Sequence, residues 1–177
     1  MKRSIARKAL VVEGGGMRGI FAAGVLNAFG RSGFYHFDLY IGVSAGACTL
    51  ASYLAGQHER NYIVHMKYST SQRFINRLRF LKGGHYMDLD WLWDITKRES
   101  RLDVRAIFSR LEEGDRQFIV VATSLATGTP LYLQPDEYTI GRYLKISCSL
   151  PVLYRQILTA SREMAVDGGI ADPIPVI

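Results

Sequence analysis

The chain has 177 residues, of which 48% are hydrophobic and 21% are charged, and its formal net charge is +6. This composition indicates one globular domain with a sizeable core and excludes a disordered or low-complexity protein. The apolar run near the N-terminus stops at Glu13 and no later run reaches about 18 residues, so the sequence predicts neither a signal peptide nor a membrane span. We therefore expect a cytoplasmic protein whose two cysteines, Cys48 and Cys148, are reduced, buried small residues.

The excess positive charge is concentrated in one segment. Six basic residues and no acidic one lie between Arg60 and Met87, namely Arg60, Lys67, Arg73, Arg77, Arg79 and Lys82. The other 16 basic residues are balanced by 16 acidic ones. Such a segment favours contact with an anionic surface, and the alternative is a solvated helix face. No recognised nucleic-acid-binding motif accompanies it, so nucleic acid is not a predicted partner.

Strand, glycine-containing turn and helix follow one another twice in the first 57 residues. The first unit is the strand KALVVE, the turn GGGMRG and a helix in IFAAGVLNAFGRSG. In that helix the spacing places one set of residues on a common face, namely Ile20, Ala23, Gly24, Asn27 and Ala28. The second unit is the strand FDLYIGVS and the helix AGACTLASYLAGQ. This alternation predicts an α/β fold, three-layer α/β/α with a mostly parallel central sheet, whose functional groups lie at the carboxyl ends of strands.

The second part of the chain continues with helices and then returns to strands. The pattern is mostly helical over residues 57–114, and RQFIVVATS and TPLYLQ are predicted as a third and a fourth strand. DEYTIGRYLKISCSLP predicts a helix that ends at its proline. Two short strands, Gln156–Thr159 and Met164–Val166, are expected around a turn near Ala160-Ser161-Arg162.

The turn GGGMRG permits two interpretations. Gly14, Gly16 and Gly19 fit the spacing of a dinucleotide-binding fingerprint, and Asp38 lies 19 residues after the last of them. However, Asp38 begins the second strand, whereas a ribose-binding acid should lie near that strand's carboxyl end. The other use of such a turn is a row of exposed backbone N–H groups that stabilise an oxyanion. A nucleotide-binding Rossmann-like domain is therefore the alternative to a hydrolase.

The pentapeptide GVSAG, residues 42–46, lies between the second strand and its helix. A serine on such a sharp turn is held with its hydroxyl clear of the sheet, and its neighbours must be small because other backbone comes close. The N–H of Ala45 points toward the space where an acyl oxygen would develop charge. Ser44 is therefore the candidate nucleophile.

A base for Ser44 is the next requirement. The chain contains four histidines, namely His36, His58, His65 and His85, and none of them follows the Asp167-Gly168-Gly169 turn. The chain order of an α/β-hydrolase triad is thus absent, although His85 remains an alternative base on an unrelated fold. The interpretation that uses every strong signal is a Ser44–Asp167 pair. An aspartate with an ordinary pKa near ~3.9 needs a dry site to serve as this base.

GGGMRG, GVSAG and DGG, in this order, resemble the motifs of the patatin-like phospholipase family, which is related to the cytosolic phospholipases A of animals. The resemblance runs from Leu10 to Pro175 and includes SCSLPVLY, which is similar to the family's Ser-x-x-Pro segment. It implies a nonspecific lipid acyl hydrolase with a Ser–Asp dyad and no metal or organic cofactor.

The resemblance also assigns roles to matching positions. Ser44 is the nucleophile and Asp167 the base, and the oxyanion hole is formed by Gly14, Gly15 and Gly16 with the N–H of Ala45. Arg18 holds the loop or a phosphate group of the substrate.

The resemblance further implies a single catalytic domain over residues 1–177. Domains of the family continue past Asp-Gly-Gly, so we expect this domain to be incomplete at its C-terminal end. The implied substrate is a phospholipid or another lipid ester. Because residues 60–87 interleave apolar and basic side chains, we expect them to contact an anionic membrane peripherally. The sequence makes no prediction of oligomeric state.

Overall fold

In the computed structural model, which describes residues 8–160 and 162–176, six strands form one mixed sheet. The strands are β1 (Ala9–Val12), β2 (Leu39–Val43), β3 (Gln117–Ser124), β4 (Pro130–Leu133), β5 (Leu158–Ala160) and β6 (Glu163–Asp167). β1, β2 and β3 are parallel, whereas β4 and β6 are antiparallel to β3, and β5 is antiparallel to β6. The mostly parallel sheet of the prediction is thus found as a mixed sheet. The short links between β3 and β4 and between β5 and β6 permit only antiparallel pairing of those neighbours.

Seven helices accompany the sheet within these described residues. They are α1 (Ile20–Arg31), α2 (Ala45–Leu54), α3 (Arg60–Ile63), α4 (Arg77–Leu81), α5 (Leu89–Glu99), α6 (Val104–Glu113) and α7 (Ile140–Ser147). A 3-10 turn precedes α1 (Gly16–Gly19), a π-helical turn follows α3 (Val64–Tyr68), and a 3-10 turn follows β6 (Gly168–Ile170). Asp88 and Asp103 begin α5 and α6 as N-caps, each accepting a backbone N–H. The region predicted as mostly helical is interrupted on both sides of α4, where Ile75 and Met87 form an isolated antiparallel bridge.

The main core lies on one face of the sheet. Alternate residues of β2 and β3, including Tyr40, Phe118 and Val120, pack there against buried residues of α1, α2, α6 and α7. The other face carries a smaller cluster around Val43 and Val121. The side chains of β3 alternate between these two clusters because of the period of two in a strand.

Two strands end at the same point of the sheet. Residues 120–121 of β3 pair with both β2 and β4, so those two strands lie on opposite edges of β3. Residues 122–123 pair with both β4 and β6, so β6 lies on the same edge as β2 and continues where β2 stops. The carboxyl end of β2 therefore meets the carboxyl end of β6. This arrangement brings Ser44 and Asp167 together although they are 123 residues apart.

The common face that the spacing gives α1 is only partly buried. Ala23, Leu26 and Gly30 are the buried residues of this helix, whereas Ile20 and Gly24 are exposed. Gly30 is required at its position because a Cβ there would overlap the ring of His58. α1 is rich in small and apolar residues around its whole circumference, so periodicity alone does not determine which side meets α2 and α3.

The ends of the last two strands differ by one or two residues from the prediction, and Asp167 is the final residue of β6. Ser161 of the predicted turn lies outside the described residues. In the part of the chain that the structure describes, no helix combines the length and hydropathy needed to cross a membrane.

Candidate active site

The turn between β2 and α2 holds Ser44 in a strained conformation. Its φ is 52° and its ψ is −127°, a region that L-residues rarely occupy. Gly42 and Gly46 permit this turn because a Cβ at either position would come closer than 3.0 Å to backbone atoms, of Ala47 in the first case and of β1 and Glu13 in the second. The small residues of GVSAG are thus explained by close packing of backbone.

Ser44 and Asp167 form a direct hydrogen bond. The Ser44 hydroxyl donates to Oδ2 of Asp167 at 2.7 Å. Both side chains are buried, with 8% of Ser44 and 2% of Asp167 exposed. The other carboxylate oxygen, Oδ1, accepts the N–H of Gly169 at 2.8 Å, so both oxygens of Asp167 have partners. The pair has the geometry of a nucleophile and its general base.

Burial raises the pKa of Asp167, and the hydrogen bonds from Ser44 and from the N–H of Gly169 only partly oppose that rise. Desolvation disfavours the charged carboxylate, which makes it a stronger base than an aspartate in water. The Asp167 carboxylate therefore lies in the poorly hydrated surroundings that an aspartate needs in order to serve as base for a serine.

The glycine turn lies directly against the serine. A Cβ at Gly14 would be 2.8 Å from the Cβ of Ser44, so only glycine fits at this position. Gly15 and Gly16 have φ values of 138° and 56°, which favour glycine and turn the chain into the 3-10 turn. Among the backbone hydrogen bonds of the described residues, none has the N–H of Gly15, Gly16 or Ala45 as its donor. These N–H groups are available to a ligand.

A cavity of about 600 Å³ opens at the serine. Ser44, Asp167, Arg18 and the glycine turn line it at one end. The rest of the wall is mostly apolar and includes Phe74, Ile75, Met87, Leu89, Leu92, Leu144 and Leu150. A cavity of this size and character suits a hydrophobic ligand with a few polar groups.

Two further hydroxyl groups hold the site, and the sequence analysis did not identify them. Ser147, the last residue of α7, accepts the N–H of Ser44 at 2.7 Å and donates to the carbonyl of Val121 at 2.6 Å. Thr123 donates to the carbonyl of Asp167 at 2.8 Å. Ser147 lies in SCSLPVLY, whose likeness to a family segment was the available signal, but no local pattern predicts its contact.

Asp38 and His85, on which the nucleotide-binding and histidine-base interpretations depend, lie away from Ser44. Asp38 precedes β2, and its carboxylate accepts the N–H of Lys8 at the opposite end of the strand from Ser44. His85 accepts the N–H of Arg155 and stacks on Tyr154, and it is not among the residues that line the cavity. His65 does line the cavity, beside Gly19, and burial lowers the pKa of its imidazole. Neither alternative gains support from this geometry.

The two cysteines are free, as predicted, but they are only half-buried and both line the cavity. Their Sγ atoms are 3.6 Å apart. Their description as inert core residues is therefore incomplete.

The basic segment is less exposed than its composition indicates. Arg60 is half-buried and donates to the carbonyl of Ser100 and the hydroxyl of Ser52. Lys67 forms an ion pair with Glu99, and Arg79 is held by backbone carbonyls and lies near Asp88. Three of the six basic residues remain exposed without an ion pair among the described residues, namely Arg73, Arg77 and Lys82. In the same described part of the chain, no cluster of three or more histidine, cysteine or acidic residues could hold a metal.

Residues 10–177 match the sequence profile of the family described as patatin-like phospholipase. The chain belongs to the patatin-like phospholipase family. The resemblance of its motifs is thereby confirmed, and so is the three-layer α/β/α class that the sequence predicts. Membership of this family supports lipid hydrolysis and does not favour a nucleotide-binding Rossmann-like domain.

Similar proteins include YjjU of Escherichia coli K12, an uncharacterised protein that is 39% identical over 170 residues, or 96% of this chain and 47% of that protein. NTE1 of Debaryomyces hansenii, a lysophospholipase, is 29% identical over 177 residues, or 95% of this chain and 10% of that protein. VipD from Legionella pneumophila has a solved structure with a TM-score of 0.51 at 18% identity, over 97% of this chain and 47% of that one. The VipD likeness concerns the fold alone. The chain spans about half the length of YjjU and of VipD.

Proposed function

We propose that this protein is a serine lipid acyl hydrolase, of phospholipase A or esterase type, with Ser44 as nucleophile and Asp167 as base. The observation that carries the proposal is the 2.7 Å hydrogen bond between their side chains at one end of an apolar cavity. Family membership and the lysophospholipase relative support the same reaction class.

The first half of the reaction forms an acyl-enzyme. Asp167 accepts the hydroxyl proton as Ser44 Oγ attacks the carbonyl carbon of a lipid ester. The oxyanion then lies against the N–H groups of the glycine turn, Gly14 to Gly16, and of Ala45, the first residue of α2. The tetrahedral intermediate collapses, the C–O bond to the alcohol breaks, and protonated Asp167 returns its proton to the leaving oxygen. In the second half, water attacks the acyl carbon while Asp167 accepts its proton. The bond to Ser44 Oγ then breaks, Asp167 returns the proton to Oγ, and the fatty acid leaves.

The substrate class follows from the lining of the cavity. Its apolar wall accepts an acyl chain, and Arg18, at the polar end beside the glycine turn, is placed to hold the turn or to contact a phosphate group of a phospholipid. The family and its relative NTE1, a lysophospholipase, agree with a glycerolipid ester.

The protein would bind its lipid substrate at a membrane surface. On α4, Leu78 and Leu81 are 70% and 79% exposed. Beside them lie Arg77 and, one residue after the helix, Lys82, both exposed and without an ion pair in the part of the chain that the structure describes. Exposed leucines interleaved with basic side chains are typical of an interfacial helix on anionic lipid. We include peripheral membrane contact through this part of residues 60–87 in the proposal, at the cytoplasmic side.

The direct test is hydrolysis of a p-nitrophenyl ester by the Ser44→Ala and Asp167→Asn variants, with covalent labelling by a fluorophosphonate mapped by mass spectrometry. We expect each variant to lose at least about 10³-fold of kcat/KM, because the nucleophile or its base is removed. Labelling should occur at Ser44 alone. Ser109→Ala, at an exposed serine of α6, is the matched control, and circular dichroism reports whether each variant folds.

Two results would contradict the proposal. One is full activity in a folded Ser44→Ala or Asp167→Asn variant, or labelling at another residue of active protein. The other is calorimetric binding of NAD or ATP that a substitution in the glycine turn abolishes, which would favour a nucleotide-binding domain.

A further inference from the structure

Two thiols meet beside the candidate nucleophile. Cys48 lies one turn into α2, the helix that Ser44 begins, and Cys148 follows the last residue of α7. Their Sγ atoms are 3.6 Å apart although the residues are 100 positions apart in the chain. Both residues line the cavity, so a ligand there can reach the sulfur atoms. The dyad mechanism gives neither of them a role.

The two thiols differ in reactivity. The hydrogen bond between the two thiols and the positive charge of Arg60 lower the pKa of the Cys48 thiol, and burial opposes this only in part. Arg60 has no ion-pair partner among the described residues, because its guanidinium donates to the neutral oxygens of Ser52 and Ser100. The hydrogen bond to Cys48 and burial raise the pKa of Cys148. Cys48, the thiol on which the charge of Arg60 acts, is therefore the one that ionises more readily.

We propose that Cys48 and Cys148 are a peroxide-reactive thiol pair, which an organic hydroperoxide in the cavity oxidises to a disulfide that switches the hydrolase off. An organic hydroperoxide is favoured over hydrogen peroxide because the wall around the thiols is mostly apolar. An acyl chain that carries a hydroperoxide group has both the apolar body and the oxidant. Only the effect on hydrolysis rests on the proposed function.

The oxidation proceeds in two balanced steps. The Cys48 thiolate attacks the terminal oxygen of the hydroperoxide, the O–O bond breaks, and the alkoxide takes a proton and leaves as an alcohol. Cys48 is then a sulfenic acid. The Cys148 sulfur attacks Cys48 Sγ, the S–O bond breaks, and the hydroxide leaves as water with the proton of the Cys148 thiol. Two thiols are oxidised by two electrons, and one hydroperoxide is reduced to an alcohol and water.

The disulfide would disturb the dyad because both cysteines are connected to Ser44. Sγ atoms that are 3.6 Å apart must approach to about 2.05 Å, and we expect this approach to draw α2 and the end of α7 towards each other. Ser147, next to Cys148, accepts the N–H of Ser44, and the N–H of Cys48 donates to the carbonyl of Ser44. A displacement of about 1 Å at a reacting group costs on the order of 10²-fold in rate.

The test treats reduced, desalted protein with one equivalent of cumene hydroperoxide or hydrogen peroxide and measures ester hydrolysis, intact mass and peptide connectivity. We expect a mass loss of about 2 Da, a Cys48–Cys148 peptide and a loss of at least about tenfold in kcat/KM that dithiothreitol reverses. Cumene hydroperoxide should react at least about tenfold faster than hydrogen peroxide, since the cavity is apolar.

Two single variants keep the proposal falsifiable, each compared with its own reduced form. Cys48→Ser should keep its activity after peroxide treatment, and Cys148→Ser should accumulate a sulfenic acid at Cys48 that dimedone traps. The proposal is overturned by absence of the disulfide, by a disulfide without loss of activity, or by equal inactivation of Cys48→Ser. Equal rates with both peroxides would remove the preference for an organic oxidant. If the reduced wild-type protein shows no hydrolysis, the proposed function fails, whereas the mass measurement still tests the thiol pair.

Discussion

At the scale of single residues, Asp167 has the most demanding role in the molecule. Its carboxylate is 2% exposed and has no positively charged partner among the ion pairs of the described residues. The raised pKa of this group means that the folded protein binds its proton more tightly than the unfolded chain does. The basicity that we propose for Asp167 is thus obtained at the expense of stability.

Asp167→Asn should therefore stabilise the fold at neutral pH while it abolishes hydrolysis. Because the folded-state pKa is raised, the free energy of unfolding falls as the pH rises from the ordinary pKa, near ~3.9, through the folded value. Asn has no charge to desolvate, so the variant avoids this loss. Thermal unfolding at pH 7 should show a higher Tm, by ~2–4 °C for each kcal/mol in a domain of this size. Below pH ~3.9, where both states of the wild-type protein hold the proton, the difference should disappear. A difference independent of pH would show that desolvation of the carboxylate is not its cause.

At the scale of elements, the site depends on how closely the turn after β2 packs against β1. Gly46, in the first turn of α2, lies where a Cβ would come closer than 3.0 Å to the carbonyl oxygens of Val12 and Glu13. Gly24, exposed within α1, has nothing within 4 Å of its ideal Cβ. Both glycines are in helices, and they differ in how closely other atoms pack around them.

Gly46→Ala should destabilise the protein by about 1–3 kcal/mol, because backbone atoms of β1 cannot move away cheaply. Gly24→Ala should stabilise it by about 0.5–1 kcal/mol, because alanine loses less entropy in a helix. Urea unfolding of both variants measures the two values. A stable, active Gly46→Ala protein would mean that the approach of α2 to β1 is looser than the structure shows.

The sequence predicts those parts of the site that are local. The turn at Ser44, the aspartate at the end of a strand and the glycine turn each have a pattern within ten residues. Ser147 and Cys148 have none, since their contact with Ser44 depends on how α7 packs across the sheet. The buried side of α1, marked by Leu26, likewise depends on how that helix packs against its neighbours. Its largely apolar composition does not predict that side.

At the scale of the whole molecule, the net charge is +6. Fewer cations of the basic segment are free on the surface than its sequence indicates. Lys67 and Arg79 use their charges in internal contacts, and Arg60 is half-buried. The sequence locates the basic segment but does not show which of its side chains form contacts within the molecule. What remains is a small surface on α4 and its flanks, in which the exposed cations lie beside exposed leucines.

This surface should bind anionic vesicles in a way that depends on both kinds of side chain. Replacing Arg77 and Lys82 together with Gln should weaken binding to phosphatidylserine-containing vesicles by about 2 kcal/mol, or roughly 30-fold, because each cation near such a surface contributes about 1 kcal/mol. Replacing Leu78 and Leu81 with Ser should weaken binding at any salt concentration. The charge contribution should instead fade above physiological ionic strength, where the Debye length is below about 8 Å.

The matched control for the charge change is Lys97→Gln with Arg105→Gln, at exposed positions of α5 and α6. Vesicle sedimentation measures each affinity, and thermal unfolding reports whether each variant is folded. If the control pair weakens binding as much as the α4 pair, the overall net charge drives association and no part of the surface is specialised for it. If only the α4 pair matters, the membrane meets the protein at the segment that contributes Ile75, Tyr86 and Met87 to the cavity wall, and the lipid has a short path to Ser44.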